Sequence, residues 1–225
     1  MALLVALCCV LATPALAQFI IPAGGSFDVP GGATIDTGCV PVLVEGELSV
    51  NAGQFNTESN FDVTGTGVVN GNTGTLVIGG DLSSSGTFNA GSGTVELTDG
   101  CVGNTTQLSG TLVFENLVLS STTGRTFVIP AGSNITVLGT LTLQGAPGQE
   151  IQLVSSGGGT AVITLGPGAT VNQSFVSVAG NVQIGPAGVV QNIPTMSDLG
   201  LLLLTLLVGF VALRQLRRNP PLRHA

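Results

Sequence analysis

From residue 18 to about residue 192 the chain runs only a few residues at a time before a glycine, proline, asparagine or serine breaks it, and that spacing governs what it can fold into. Between the breaks stand short alternating runs: Ser26 to Val29, Glu47 to Val50, Thr75 to Ile78, Thr94 to Leu97, Thr111 to Phe114, Thr126 to Ile129, Ile135 to Leu138, Thr140 to Leu143, Ala161 to Leu165 and Phe175 to Val178. Each consists mainly of β-branched or apolar residues, the signature of half-buried strands. No stretch has helical periodicity, and breaks this frequent leave no room for a helix longer than a turn.

The punctuation itself repeats. An apolar-Pro-(Ala/Gly)-Gly phrase occurs at Ile21 to Gly24, Val29 to Gly32 and Ile129 to Gly132, with looser forms at Gly166-Pro167-Gly168 and Gly185-Pro186-Ala187-Gly188. Gly-Thr-Leu begins at Gly74, Gly110 and Gly139. Pro130 and Pro167 are 37 residues apart and Pro167 and Pro186 are 19 apart, spacings that predict a coil of about 18 to 19 residues, although the 29-residue step from Gly110 to Gly139 does not fit it. Short strands with glycine-rich corners at a near-constant period predict an all-β ectodomain folded as a β-solenoid, in which each coil buries against the next what it cannot bury alone. The alternative is a β-sandwich of about seven to nine strands. Eight Phe with no Trp or Tyr in this region, and uniformly short strands, favour the solenoid. Residues 60 to 180, for instance Gly110 to Leu119 followed by Phe127 to Leu143, resemble the glycine- and threonine-rich repeats of bacterial β-helix surface proteins, which implies a right-handed parallel β-helix.

Charge narrows the function classes. The net charge is −7, all five cations are Arg, and four of them (Arg214, Arg217, Arg218, Arg223) lie beyond residue 213. Residues 18 to 192 therefore carry Arg125 against eleven acids, a net of −10. A surface with almost no cations has nothing to neutralise phosphates, so nucleic acid is excluded as a partner.

The N-terminus reads as a signal peptide over residues 1–17. Ala2 to Ala12 is apolar, Pro14 breaks the helix, and Ala15-Leu16-Ala17 supplies small residues for signal peptidase, placing the cut between Ala17 and Gln18. Cys8 and Cys9 fall within this segment, and Leu7 stands where a lipoprotein needs a small residue. The remaining cysteines, Cys39 and Cys101, are an even number in an exported domain and predict a disulfide; the alternative is a pair of buried thiols.

Catalytic and metal chemistry find little support. Two acid pairs stand out: Glu45 and Glu47 alternate onto one strand face and Glu96 and Asp99 lie close together, and a glycosidase needs two carboxylates across a sugar groove, one with a raised pKa. Sugar grooves are usually paved with Trp and Tyr, which are absent. The only histidine, His224, is at the C-terminal end, so no His-dependent nucleophile is available to the middle region, and no zinc ligand set exists. Gly31 to Asp36 is a single partial match to a calcium-binding β-roll repeat and does not recur. Asn104, Asn134 and Asn172 begin Asn-x-Ser/Thr triplets and read as turn residues. The expectation is a non-enzyme with no cofactor and no metal; the alternative is a β-helix enzyme acting on surface polysaccharide.

The C-terminus is more specific. Leu199 to Leu213 is uncharged and leucine-rich and predicts a transmembrane helix of about 22 Å, with Arg214, Arg217 and Arg218 as the stop-transfer cluster and residues 214–225 as a basic cytoplasmic tail. Just before and into it stands Ile193-Pro194-Thr195-Met196-Ser197-Asp198-Leu199-Gly200. Motif, apolar span and arginines together resemble the Ile-Pro-Thr-Leu type of C-terminal sorting signal, whose family pattern continues Ser-Glu-Trp-Gly. Ile193, Pro194, Thr195, Ser197 and Gly200 match; Met196 stands for Leu, Asp198 for Glu and Leu199 for Trp. The resemblance implies processing by an exosortase, a membrane-embedded enzyme of Gram-negative bacteria. Pro194 removes a backbone donor and disfavours helix at Ile193, which keeps the segment extended for such an enzyme. Together these readings predict a structural or adhesive surface protein: a β-repeat ectodomain over 18–192, held transiently at the inner membrane with the ectodomain in the periplasm, then released to the cell surface or beyond. Its expected partners are signal peptidase, an exosortase-type enzyme and the membrane, with extracellular polysaccharide a candidate.

Overall fold

A computed structural model describes residues 17–186. The sorting motif Ile193 to Gly200, the leucine run, Arg214, Arg217, Arg218, and all of the signal segment but Ala17 lie outside the described residues. Among the described residues there is no helix.

Alternation with a period of two makes each short run a strand with one face inward, and the strands wind into stacked turns. The first turn is β1 (Phe19–Ile21), β2 (Ser26–Val29) and β3 (Thr34–Asp36); the second is β4 (Val42–Val44), β5 (Glu47–Val50) and β6 (Gln54–Thr57). The third is β7 (Phe61–Val63), β8 (Val68–Asn70) and β9 (Thr75–Ile78), and the fourth is β10 (Leu82–Ser84), β11 (Thr87–Asn89) and β12 (Thr94–Leu97). One 16-residue strand, β13 (Thr105–Ser120), forms the fifth turn across all three faces. The sixth is β14 (Thr126–Pro130) and β15 (Asn134–Gln144), and the seventh is β16 (Ile151–Ser156), β17 (Ala161–Leu165) and β18 (Thr170–Ser174). β19 (Val176–Val178) and β20 (Val182–Pro186) begin an eighth.

Strands pair only with their equivalents in adjacent turns, and every strand ladder is parallel, as in β2 with β5, β6 with β9 and β17 with β20. Sandwich sheets are antiparallel, so the chain is a parallel β-solenoid of about eight turns and the sandwich alternative does not hold. The core is a set of ladders of inward residues. On the third face Ile35, Phe55, Leu76, Val95, Leu117, Leu141 and Val171 follow one another in register through seven turns. At the first turns Phe19, Phe27, Phe55 and Phe61 meet edge-on at centroid distances of 5.3 to 6.4 Å.

The coil is not 18 to 19 residues long. Register steps run from 19 residues, as Val42 to Phe61, to 30, as Thr140 to Thr170. Only strands and corners must stack, so extra residues such as Gly145 to Glu150 loop outward without disturbing the rungs. The sequence phrases misled because they mark different corners. Ile21 to Gly24 and Ile129 to Gly132 turn between the first and second faces, whereas Val29 to Gly32 and Gly166 to Gly168 turn between the second and third. Gly74 and Gly139 open third-face segments and Gly110 opens a second-face one, which accounts for the 29-residue step.

The corners themselves demand glycine. A Cβ on Gly46, Gly67, Gly86 or Gly110 would lie 1.9 to 2.3 Å from a carbonyl oxygen of the preceding turn. Successive turns approach at this first-to-second-face corner through bare backbone. Gly67→Ala, whose Cβ would sit 2.1 Å from the Val44 oxygen, is expected to cost roughly 2–3 kcal/mol in urea denaturation. Gly65→Ala in the same corner meets nothing within 4 Å and is expected to stay within about 0.5 kcal/mol of the parent.

Candidate functional site

Chemistry-bearing side chains gather where the fourth turn passes into the fifth. Cys39, at the end of the first turn, and Cys101, after the fourth, are joined as a disulfide with Cα atoms 5.7 Å apart. Neighbouring rungs are ~4.8 Å apart, so a residue leaving the fourth turn reaches the first only by crossing the intervening corners. It does so where the third turn has no side chains: Gly100 packs on Gly79 and Glu58, and the Cys101 amide donates to the Glu58 carbonyl at 2.8 Å. Glu58 stands beside both sulfurs, and Cys39, Cys101 and Glu58 are close enough to form a potential metal group. Sulfurs joined to each other are not thiolate ligands, so the oxidised form is a covalent strap.

The same crossing loop is held by Arg125, the lone cation of residues 18–192. It is 1% exposed. Its Nη1 donates to Thr106 Oγ1 at 2.6 Å and its Nη2 to the Gly103 carbonyl at 2.8 Å. Its Nε lies 3.6 Å from Asp99 Oδ1 and, among the described residues, has no hydrogen-bond partner. The coil explains why a long cation is buried here. In β13, Leu108 to Gly110 pair with β10 below, but Thr105 to Gln107 pair with β14 above. The first face thus steps sideways by three residues, roughly 10 Å, and Arg125 fills the interior at the step.

Asp99 is the anionic end of this clasp. Burial pulls its pKa upward, but hydrogen bonds from the Ser121 hydroxyl, the Thr122 amide and the Thr123 and Thr122 hydroxyls outweigh it, leaving a pKa of about 2. The carboxylate accepts from Ser121 at 2.6 Å, the Thr122 amide at 2.8 Å and Thr123 at 2.9 Å.

A cleft of about 580 Å³ opens beside the clasp along the third face. Its floor is a polar ladder, Thr98, Ser120, Gln144 and Ser174, one side chain per turn over four turns; Ser120 to Gln144 and Gln144 to Ser174 are in register. The Ser120 hydroxyl lies 2.8 Å from Glu96 Oε1, to which it donates, and 3.1 Å from Thr98 Oγ1. Ala146 and Pro147 form one lip, on the outward loop closed by reciprocal Ala146–Gln149 backbone bonds. Phe175 forms another, 46% exposed and at φ +51°.

The carboxylate pairs read from sequence fare differently. Glu45 and Glu47 do not share a strand face: Glu47 begins β5, and Glu45 sits across the glycine corner from it. Glu96 faces the cleft, whereas Asp99 is turned into the clasp. Of the calcium-like phrase, Thr34 to Asp36 is β3, and Asp36 caps the turn that follows, its Oδ1 accepting the Gly38 amide at 2.8 Å as in an Asx turn. The clasp and the cleft were invisible in sequence apart from the isolation of Arg125. Phe175, read as the first residue of a strand, precedes it; β19 starts at Val176.

Because the folded pKa of Asp99 lies below the ordinary value of about 4, its contribution is complete above that value and is lost as pH falls through about 2. Asp99→Asn is expected to be less stable than the parent at pH 7 and to lose less stability between about pH 4 and pH 2, read from acid-unfolding curves. Cys39→Ser/Cys101→Ser is expected to lower stability by about 4 kcal/mol and to match the reduced parent in denaturant titration.

No curated protein and no solved structure matches this chain. A family model does match its C-terminal part: residues 191–218 carry the IPTL-CTERM motif, a C-terminal sorting signal that implies an exosortase-type processing enzyme and a membrane-anchored surface or extracellular protein.

Proposed function

We propose that the chain is a structural or adhesive protein of a Gram-negative cell surface, exported by a cleaved signal peptide and processed by an exosortase at Ile193 to Gly200. The IPTL-CTERM match over residues 191–218 carries this reading. The leucine run with Arg214, Arg217 and Arg218 serves as a temporary anchor, with the solenoid in the periplasm until release. Cleavage between Ala17 and Gln18 is compatible with the coil, because both residues are exposed and precede β1, so a cut there removes no strand. A strap between Cys39 and Cys101 suits an oxidising compartment.

The role is mechanical and adhesive, not catalytic. An acid pair needs both carboxylates across one groove, and Asp99, the nearest acid in sequence to the cleft carboxylate Glu96, is engaged instead by Ser121, Thr122 and Thr123. Parallel ladders through successive turns give a rod with a regular outer surface, the form in which repeat proteins present extended binding faces. Extracellular polysaccharide is the partner such a surface would meet.

Processing is tested by mass spectrometry of surface and inner-membrane fractions. Surface material is expected to lack peptides beyond the motif, and replacing Ile193, Pro194 and Thr195 by Ala is expected to leave the full-length chain in the inner membrane. Intact peptides through Arg214 from surface material would overturn the sorting role.

A further inference from the structure

We propose that the third-face cleft is a binding site for a neutral polysaccharide strand, laid along the solenoid axis on the Thr98–Ser120–Gln144–Ser174 ladder with Phe175 as its stacking platform. The proposal rests on the surface-protein reading and names the partner's site. The cleft's 580 Å³ lies within the roughly 300–1,000 Å³ of small-ligand sites. Its floor offers hydroxyls and one amide at a spacing of ~4.8 Å, close to the advance per residue of an extended 1,4-linked sugar chain. Such groups both donate and accept, as sugar hydroxyls do. Glu96 adds one strong acceptor at the edge.

Phe175 is the second, independent observation. A bulky residue in the left-handed region costs about 1–2 kcal/mol relative to glycine. Its ring gains little in return from burial, being 46% exposed. The backbone at this position serves the fold, since the Phe175 carbonyl accepts the Ile151 amide at 3.0 Å, and glycine would serve that equally well. The ring is therefore placed for the cleft. An aromatic face beside a ladder of hydroxyls is the pairing that takes the apolar face of a sugar and its hydroxyl edge together.

Other occupants fit less well. An extended peptide draws its affinity from main-chain bonds to a sheet edge, and the backbone under the cleft is already paired from turn to turn between β12, β13, β15 and β18. An anionic polysaccharide would meet Glu96 in a region of net −10 whose one Arg is buried.

The test is affinity electrophoresis and calorimetry of the exported, disulfide-bonded protein with cellohexaose and maltohexaose, with hexagalacturonate as the anionic comparison and an extended polar hexapeptide as the peptide comparison. At least one neutral hexaose is expected to bind, with at least tenfold loss in Phe175→Gly and in Gln144→Ala and no change in Val113→Ala on the second face. Phe175→Gly is expected to melt at the same temperature as the parent or higher, which separates a binding role from a structural one. Absence of binding to both neutral sugars, equal binding by Phe175→Gly, or preference for hexagalacturonate or the peptide would overturn the proposal. Fractionation of cells reports on surface location separately, so a failed binding assay on a correctly sorted protein counts against the cleft alone.

Discussion

Backbone hydrogen bonds passing from each turn to the next hold this coil together, and they form only where the corners let successive turns approach. At Gly46, Gly67, Gly86 and Gly110 the approach is so close that a single methyl group would strike a carbonyl of the turn before it. Glycine there is a steric requirement of stacking and not an entropic convenience. Once the corners close, strand registers follow, and inward side chains fall into ladders such as Ile35 to Val171 without long-range specification beyond the neighbouring rung. Stability in such a fold is a sum of rung-to-rung contacts, which makes any break in the regular stacking a local liability.

The chain has such a break, and it is there that the polar chemistry concentrates. The first face steps sideways in β13, exposing an interior end that apolar side chains on short strands do not fill. Arg125 fills it and ties Gly103, Thr106 and Asp99 to the new rung. A few residues away the disulfide draws the crossing loop down to the first turn. A buried cation with one hydrogen bond short is a costly element, and its presence fits a place where geometry matters more than the last increment of stability. The cleft beside it has a different origin: the outward loop at Gly145 to Glu150, between β15 and β16, gives a flat sheet face a wall.

Sequence and structure agree most where periodicity speaks. Ser26 to Val29, Glu47 to Val50, Thr75 to Ile78, Thr94 to Leu97 and Ala161 to Leu165 are strands with the boundaries their alternation marks. Strands as short as Thr34–Asp36 or Leu82–Ser84 left too little pattern to read. The expected coil length failed for a definite reason: the same Pro-Gly phrase turns two different corners, so distances between copies mix whole turns with fractions of one. Ile135 to Leu138 and Thr140 to Leu143 looked like separate strands and are one, β15, bent across a corner. Glu45 and Glu47 looked like a pair on one face because period-two counting takes no account of the corner between them.

By itself the sequence determined the fold class, through break spacing and inward alternation, and the address, through the order of motif, apolar span and arginines in residues 191–218. Both are local properties of the chain, readable wherever neighbouring residues carry the signal. The sequence paired Cys39 with Cys101, but the tertiary structure alone decided that the link spans from the fourth turn back to the first across Gly79, that Arg125 is buried and Asp99 engaged with it, and that Thr98, Ser120, Gln144 and Ser174 stand in one line beside Phe175. Those residues are 22 to 30 positions apart along the ladder, and only the unequal lengths of the intervening turns, fixed by stacking, bring them into register.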